Sequence, residues 1–284
     1  MSFHTAPNRY VSQIHLSVMN LQRSEIFYQD LLGFRVLKKE QGTITFSANG
    51  TDPLITLEQP AGIQPHRSRQ AGLYHFALLL PSRRDLATLL YRILKEDYPL
   101  QGGSDHAVSE AVYLADPDGN GIELYRDRPA AEWKWENGRV YMTTDAIDEH
   151  ILDERDERGW SGMPKNTIMG HIHLQVADLN AAERFYCQGL GFQLVAQYGD
   201  QADFLSTGGY HHHIGLNVWM SKGRPADSAL TAGMKDFTLE YPDSATRAKA
   251  IARVKEMGFP VSEEKGGVRI TDPSRIDIIL HVNE

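Results

Sequence analysis

The chain has 284 residues, of which 41% are hydrophobic and 23% charged, a composition typical of one large or two modest globular domains. The formal charge of -8 and the absence of a Lys/Arg-rich run argue against nucleic acid or a membrane surface as partner, and favour a small molecule. One cysteine, Cys187, excludes an internal disulfide, and without an apolar run of signal-peptide or membrane-span length it predicts a cytoplasmic protein.

The first predicted elements lie in residues 13–34 and return later in the chain. QIHLSVMNLQRSEIFYQDLLGF at 13–34 recurs with the same spacing as HIHLQVADLNAAERFYCQGLGF at 171–192. Alternation of apolar and polar residues predicts a strand, which a capped amphipathic helix follows. The predicted helix caps are Asn20 and Asp178, and the predicted helix ends are Gly33 and Gly191.

Two weaker copies begin at His75 and at Asp236. In the copy at His75, Ser82 and Asp85 have the spacing of a capping box. Three short strand-like segments follow each helix, and the last of them has an I-x-L pattern at 55–57, 122–124, 214–216 and 278–280. The sequence therefore predicts four βαβββ modules.

A polar, charged segment at 130–165 separates the second module from the third. It contains WKWENGR and DERDERGW, and it lacks the repeated pattern. We interpret it as a linker between a first domain at 9–129 and a second at 166–284, each with two modules.

The repeated motifs resemble those of the vicinal oxygen chelate superfamily, which includes glyoxalases, bleomycin-resistance proteins and extradiol dioxygenases. The resemblance rests on D-L-x-x-A-x-x-F-Y-x-x-x-L-G-F at 178–192, DPDGN at 116–120 and the histidines that open the strands. GGYHHHIGLN at 208–217 and ADPDGNGIE at 115–123 are most similar to the bacterial catechol-2,3-dioxygenase type. The resemblance implies an α+β fold in which module pairs wrap into two half-barrels, one of them around a metal.

A half-barrel of this kind offers a metal one side chain from each first strand and one from each last strand. The first-strand positions are Gln13, His75, His171 and Asp236, and the last-strand positions are Thr56, Glu123, Gly215 and Ile279. Module four has an apolar residue where a carboxylate would be needed, whereas module two supplies both a histidine and a glutamate.

Pairing module two with module three gives His75, Glu123 and His171. Two imidazoles, one carboxylate and open coordination positions are the ligand set of non-haem Fe(II) sites, and Mn(II) accepts the same ligands. Pairing with module one instead adds Gln13 and Thr56, which resembles a glyoxalase site that lacks one carboxylate. We favour modules two and three because that pairing brings the three adjacent histidines to the same cavity.

His15 is a reserve ligand, because strand alternation puts it on the same face as Gln13.

The resemblance also assigns an acid/base histidine just before the last strand of module three. Counting back from the I-x-L pattern gives His212, with His213 as the alternative. Strand alternation sends His211 and His213 to the side opposite His212. An imidazole suits the role because its ordinary pKa lies near neutrality.

Tyr113, ten residues before Glu123, is assigned by the same resemblance as a hydrogen-bond donor to the substrate. The resemblance implies an Fe(II)-dependent extradiol dioxygenase of aromatic catabolism, whose partners are a small aromatic diol and dioxygen. The rival interpretations are a glyoxalase-like lyase or isomerase, and a metal-free protein that binds an aromatic or an antibiotic. The sequence leaves homo-oligomerisation open.

Overall fold

The computed structural model describes residues 2–227, 229–264 and 266–282. The first module comprises β1 (Tyr10–Ser17), α1 (Leu21–Ile26), β2 (Arg35–Glu40), β3 (Thr43–Ser47) and β4 (Ile55–Glu58), and the second comprises β5 (Gly72–Leu79), α2 (Arg83–Lys95), β6 (Leu100–Asp105), β7 (Ser109–Ala115) and β8 (Gly121–Asp127). The segment that follows holds β9 (Trp135–Glu136), β10 (Arg139–Val140), β11 (Asp145–Ala146) and two 3₁₀ turns, Ala130–Glu132 and Ile151–Glu154.

The third module comprises β12 (Ile168–Gln175), α3 (Leu179–Arg184), β13 (Gln193–Tyr198), β14 (Ala202–Ser206) and β15 (Ile214–Asn217), and the fourth comprises β16 (Gly233–Tyr241), α4 (Ser244–Glu256), β17 (Val261–Glu264), β18 (Gly267–Thr271) and β19 (Asp277–Val282). This order confirms the four βαβββ modules and the α+β fold class. In the described part of the chain, no helix has the length and apolarity that crossing a membrane requires.

The modules form two curled sheets, and each sheet takes two modules. An 8-stranded sheet, the terminal sheet, has the order β17-β18-β19-β16-β1-β4-β3-β2 and joins modules four and one. A 9-stranded sheet, the central sheet, has the order β11-β6-β7-β8-β5-β12-β15-β14-β13 and joins modules two and three. The pairing favoured from the sequence is therefore the one in the central sheet, and each sheet takes one module from each predicted domain.

The register of the central sheet brings three strand positions into line. Ala77 on β5 pairs with His171 on β12 and with Glu123 on β8. Side chains of laterally paired residues lie on the same face of a sheet, and so does His75, two residues before Ala77. The small, fully buried Ala77 leaves room between its larger neighbours.

The opposite face of the central sheet packs against helices. Phe76, Ile122 and Ile172, each next to one of the aligned residues, are buried in the main apolar core. Leu86 and Leu90 of α2 lie in the same core, and burial of such a side chain contributes roughly 1.5–3 kcal/mol. One face thus stabilises the sheet, which leaves the other face for polar side chains.

The predicted helix caps are confirmed. Asn20 and Asp178 accept hydrogen bonds from the backbone N–H groups of Arg23 and Ala181, at the starts of α1 and α3. Both helices continue into a π-helical turn before they end, a feature that the sequence pattern did not predict. Gly33 then adopts a φ of +79°, which favours glycine.

The segment at 130–165 packs along the central sheet. β11 pairs with β6 at the sheet edge, and the indole N–H of buried Trp133 donates to the carbonyls of Val108 and Arg128. This segment also supplies Met142 and Thr144 to the wall of the cavity described below. The domain bounds at 9–129 and 166–284 stay a prediction, and residues 283 and 284 lie outside the described chain.

Candidate metal centre

His75, Glu123 and His171 meet on the polar face of the central sheet. Nε2 of His75 lies 3.0 Å from Oε2 of Glu123, and Nε2 of His171 lies 3.3 Å from the same oxygen. The three ligand atoms all lie within 4.8 Å of one another. Across the described residues, no other group of three His, Cys, Asp or Glu side chains has this spacing.

This cluster fits a divalent cation. All three side chains are buried, and although Nε2 of His75 lies 3.0 Å from Glu123, the contact does not have hydrogen-bond geometry, so this nitrogen has no hydrogen-bond partner among the described groups. Such an orphan nitrogen beside a buried carboxylate is costly unless something further binds both. Ligands that hold one ion at about 2.1 Å and at right angles lie about 3 Å apart, which is close to the two distances found here.

The protonation states of the cluster suit metal binding. Burial lowers the pKa of His171 to about 4, so its imidazole is neutral at pH 7. Burial alone would raise the pKa of Glu123, but the imidazoles of His171 and His75 outweigh it and hold that pKa well below its ordinary value. Neutral imidazole and ionised carboxylate are the forms that bind a metal ion.

A cavity of about 340 Å³ opens above the cluster. His75 and Glu123 line its floor, while His171 lies beneath them and is 1% exposed. Tyr113 and His212, the two residues assigned catalytic roles from the sequence, both line the cavity. Four of the five predicted site residues thus line one cavity, and the fifth, His171, contacts Glu123 beneath it.

Tyr113 is hydrogen-bonded to His106, which lies in the turn between β6 and β7. The phenol oxygen lies 2.6 Å from Nε2 of His106, whose Nδ1 lies 2.7 Å from the carbonyl of Thr143. A carbonyl only accepts, so His106 donates through Nδ1, and a neutral His106 accepts the phenol hydrogen at Nε2. Burial, reinforced by Glu123, raises the pKa of Tyr113 well above its ordinary value and keeps the phenol protonated.

His212 belongs to a chain of buried hydrogen bonds that leads away from the cavity. Its Nδ1 lies 2.8 Å from Nδ1 of His211, and Nε2 of His211 lies 2.8 Å from Oδ1 of Asp127. The carboxylate accepts, so His211 donates through Nε2, and a neutral His211 then accepts from Nδ1 of His212. His212 is left with an unprotonated Nε2, and burial lowers its pKa well below the ordinary value.

The other two adjacent histidines do not line the cavity, and all three histidines precede β15 rather than lying in it. His211 is fully buried against Asp127 and Tyr210. His213 lies 3.2 Å from the hydroxyl of Ser206 and 3.2 Å from the carbonyl of Phe3. Sequence reasoning had no means to find Asp127 as the partner of His211, because 84 residues separate the two.

His173 is a further cavity residue that sequence reasoning left without a role. It lines the cavity two residues after His171, and its buried Nε2 has no hydrogen-bond partner among the described groups. A Cβ on Gly215 would lie 2.8 Å from Cγ of His173, so the glycine makes room for the ring. The position two residues after a ligand, on the same strand face, was the available signal.

The alternative ligand set with Gln13 and Thr56 is not formed. Both residues belong to the terminal sheet, on β1 and β4, and neither lines the cavity of His75 and Glu123. The reserve ligand His15 is also in the terminal sheet, where it lies 3.3 Å from Glu58. Sheet pairing of module two with module three, rather than with module one, separates these positions.

The chain is similar in sequence to a known protein family and to a bacterial protein. Residues 10–124 and 168–279 match the family described as Glyoxalase/Bleomycin resistance protein/Dioxygenase superfamily. The chain is 42% identical over 269 residues to a protein of Bacillus subtilis (strain 168) named catechol-2,3-dioxygenase, and the match covers 93% of this chain and 94% of that protein.

Solved structures share the fold at low sequence identity. A putative dioxygenase from Bacillus subtilis subsp. subtilis str. 168 has a TM-score of 0.64 at 16% identity, over 96% of this chain and 84% of that one. Glyoxalase I from Zea mays has a TM-score of 0.59 at 15% identity, over 96% of this chain and 92% of that one. These similarities concern the fold alone.

Proposed function

Because this chain belongs to the glyoxalase/bleomycin resistance protein/dioxygenase superfamily, we propose that it is an extradiol dioxygenase that opens the ring of a catechol-like diol. The observation that carries the proposal is the convergence of two imidazole nitrogens on one carboxylate oxygen at the floor of a cavity. The 42% identity to a protein named catechol-2,3-dioxygenase supports the same reaction class.

His75, Glu123 and His171 would hold the metal ion, with Fe(II) as the proposed ion and Mn(II) compatible with the same ligands. When bound, the ion would supply Lewis-acid activation of the diol and a redox partner for dioxygen. The buried position of the three ligands, at the bottom of the cavity, keeps bulk water away from the reacting groups.

The two catalytic groups above the ligands would handle protons. His212 presents an unprotonated Nε2 and would accept a hydroxyl proton of the diol, while Asp127 stabilises the positive charge through His211. Tyr113 would hydrogen-bond the second diol oxygen. Because the phenol hydrogen goes to Nε2 of His106, the phenol oxygen would accept from a hydroxyl of the diol.

The cellular setting proposed from the sequence is the cytoplasm. Cys187 is a free, partly buried thiol, and burial raises its pKa to about 12, so it is a poor nucleophile and a poor redox centre. A reducing compartment suits such a chain.

Anaerobic loading with Fe(II), followed by oxygen uptake with catechol and detection of the yellow ring-opened product, tests the proposed function. His171→Ala should lose both bound iron and oxygen uptake. Gln13→Ala changes the equivalent position of the terminal sheet and should keep both. Iron retained in His171→Ala, or an iron-loaded wild type that leaves both catechol and its alkyl-substituted forms intact, would overturn the proposal.

A further inference from the structure

The cavity is larger than a bare catechol needs. A catechol and dioxygen together have ten non-hydrogen atoms, and at no more than the roughly 30 Å³ that a water molecule occupies, they fill at most about 300 Å³. The cavity measures about 340 Å³, so space for a ring substituent remains beyond the reacting part of the molecule.

One part of the cavity wall is aromatic. Tyr74 and Trp219 meet edge to face with ring centroids 5.1 Å apart, and His173 packs against both, at 5.1 and 5.5 Å. Phe204 continues the wall, 5.6 Å from His173 and 5.3 Å from Tyr198. Tyr74 and Trp219 stay 41% and 44% exposed at the mouth, which leaves apolar area for a ligand to cover.

The charge of the wall also restricts the ligand. No Lys or Arg stands among the described residues that line the cavity, and the carboxylate in its lining is Glu123, on the floor. The arginines on nearby strands are engaged elsewhere, since Arg126 and Arg128 pair with Glu110 and Asp105. An anionic substituent would therefore lose water without gaining a counter-charge, which is unfavourable.

We propose that the diol taken by this cavity is uncharged apart from its two hydroxyls and bears an apolar substituent that packs on Tyr74, Trp219 and Phe204. This inference rests on the proposed ring-opening function and names its substrate class. Trp219 and Tyr74 are then specificity-determining residues, since they contact the substituent and not the diol.

The experiment compares 4-isopropylcatechol with protocatechuate. The two have nearly the same shape, and protocatechuate carries a carboxylate where 4-isopropylcatechol carries the isopropyl group. With the Fe(II)-loaded protein, kcat/KM should be at least about tenfold higher for isopropylcatechol, because a desolvated carboxylate has no partner. Equal values, or a preference for protocatechuate, would overturn the inference while the ring-opening function stands.

Two variants at Gln101 on the cavity wall sharpen this result. Gln101→Arg supplies the missing counter-charge and should raise kcat/KM for protocatechuate, which lowers the ratio between the two substrates. Gln101→Met is of similar length but neutral and should leave this ratio unchanged. Trp219→Ala should lower kcat/KM for isopropylcatechol and so reduce the ratio between the two substrates. Trp135→Ala, at an exposed tryptophan outside the cavity lining, should leave that ratio unchanged.

Binding measured by calorimetry gives an answer that does not depend on turnover. The two catechols are titrated anaerobically into the protein in the presence of Zn(II), which accepts similar ligands and has no redox chemistry. If the Fe(II)-loaded protein opens neither ring, the proposed function fails, and tighter binding of isopropylcatechol still supports the cavity preference. Equal or weaker binding of isopropylcatechol overturns it.

Discussion

The central and terminal sheets have the same topology but different groups at equivalent positions. β5 and β12 pair His75 with His173, and β16 and β1 pair Asp236 with His15 in the matching register. Likewise Tyr113 pairs with Glu123 on β7 and β8, whereas Arg269 pairs with Ile279 on β18 and β19. The terminal sheet thus replaces a histidine by an aspartate, a tyrosine by an arginine and a glutamate by an isoleucine.

Arg269 explains why the terminal sheet needs no added cation. Its guanidinium lies 3.2 Å from Asp236 and 3.1 Å from Asp277, and it also pairs with Glu264. His15 lies between Glu58 and Asp236, at 3.3 and 3.8 Å. In the central sheet no guanidinium reaches Glu123 within salt-bridge distance in the described chain, and its oxygen faces two imidazoles instead.

The two sheets show that the scaffold alone does not make a metal centre. Both sheets bury carboxylates at the junction of their two modules, and each needs positive charge there. The terminal sheet obtains this positive charge from Arg269, whereas the central sheet has space beside Glu123 for a metal ion. Variants in the central sheet should therefore change metal binding and activity. Variants at the equivalent positions of the terminal sheet should change the free energy of unfolding.

The largest effect is expected from Glu123→Gln. Loss of the only carboxylate of the proposed ligand set should cost more than the roughly 10- to 100-fold that loss of an outer-shell partner costs, in both iron content and oxygen uptake. Asp236→Asn in the terminal sheet should leave both quantities unchanged. Equal losses in the two variants would remove the distinction between the sheets.

The next prediction concerns Tyr113 of the central sheet and Arg269, which occupies the equivalent position of the terminal sheet. Tyr113→Phe should lower kcat by about 10²–10³, because a positioned hydroxyl next to the reacting oxygen is lost. The free energy of unfolding should change little. Arg269→Met should keep full activity and lower the free energy of unfolding by about 1–3 kcal/mol, since it removes the guanidinium that lies 3.2 Å from Asp236. Urea unfolding and steady-state rates measure both, and the same pattern in the two variants would contradict the comparison.

The buried imidazole of His171 predicts a pH dependence of stability in the metal-free protein. Its pKa is about 4 in the folded chain and near 6.5 in the unfolded chain, so between these values the unfolded chain binds the extra proton. The free energy of unfolding should fall by about 3 kcal/mol from this residue as the pH drops through that window.

Urea unfolding at several pH values measures this fall. His171→Asn should remove the part of the fall in unfolding free energy that His171 contributes. Gln13→Asn, at the equivalent position of the terminal sheet, should leave the fall unchanged. A pH dependence that is identical in wild type and His171→Asn would show that the imidazole is not buried in neutral form.

The smallest effect on rate is expected from Asp127→Asn. The amide can donate as well as accept, so it no longer fixes which nitrogen of His211, and hence of His212, carries hydrogen. We expect a loss of about 10- to 100-fold in kcat. Ring ¹⁵N shifts of His212 should show an unprotonated Nε2 in wild type and a mixture of tautomers in the variant, and unchanged shifts would contradict the hydrogen-bond chain.

Local features of the fold could be predicted from the sequence because short-range physics determines them. The caps at Asn20 and Asp178 and the repeated βαβββ order needed only residue type and spacing. The grouping of His75, Glu123 and His171 followed from the internal repeat once modules two and three were paired.

Long-range features needed the structure. Residue patterns do not decide whether β5 pairs with β12 or with β1, since both are first strands with the same alternation. The partner of His211 on β8, and the cavity wall supplied by Met142 and Thr144, depend on contacts between distant segments. The hydrogen bond from Tyr113 to His106 depends on a β6–β7 turn whose geometry the sequence does not specify.

The most direct test of the central claim is a crystal structure of the protein grown anaerobically with Fe(II), with anomalous scattering measured at the iron edge. We predict one peak within about 2.0–2.3 Å of Nε2 of His75, Nε2 of His171 and Oε2 of Glu123. An iron-free cluster under those conditions, or a peak bound in the terminal sheet beside Asp236, would contradict the claim.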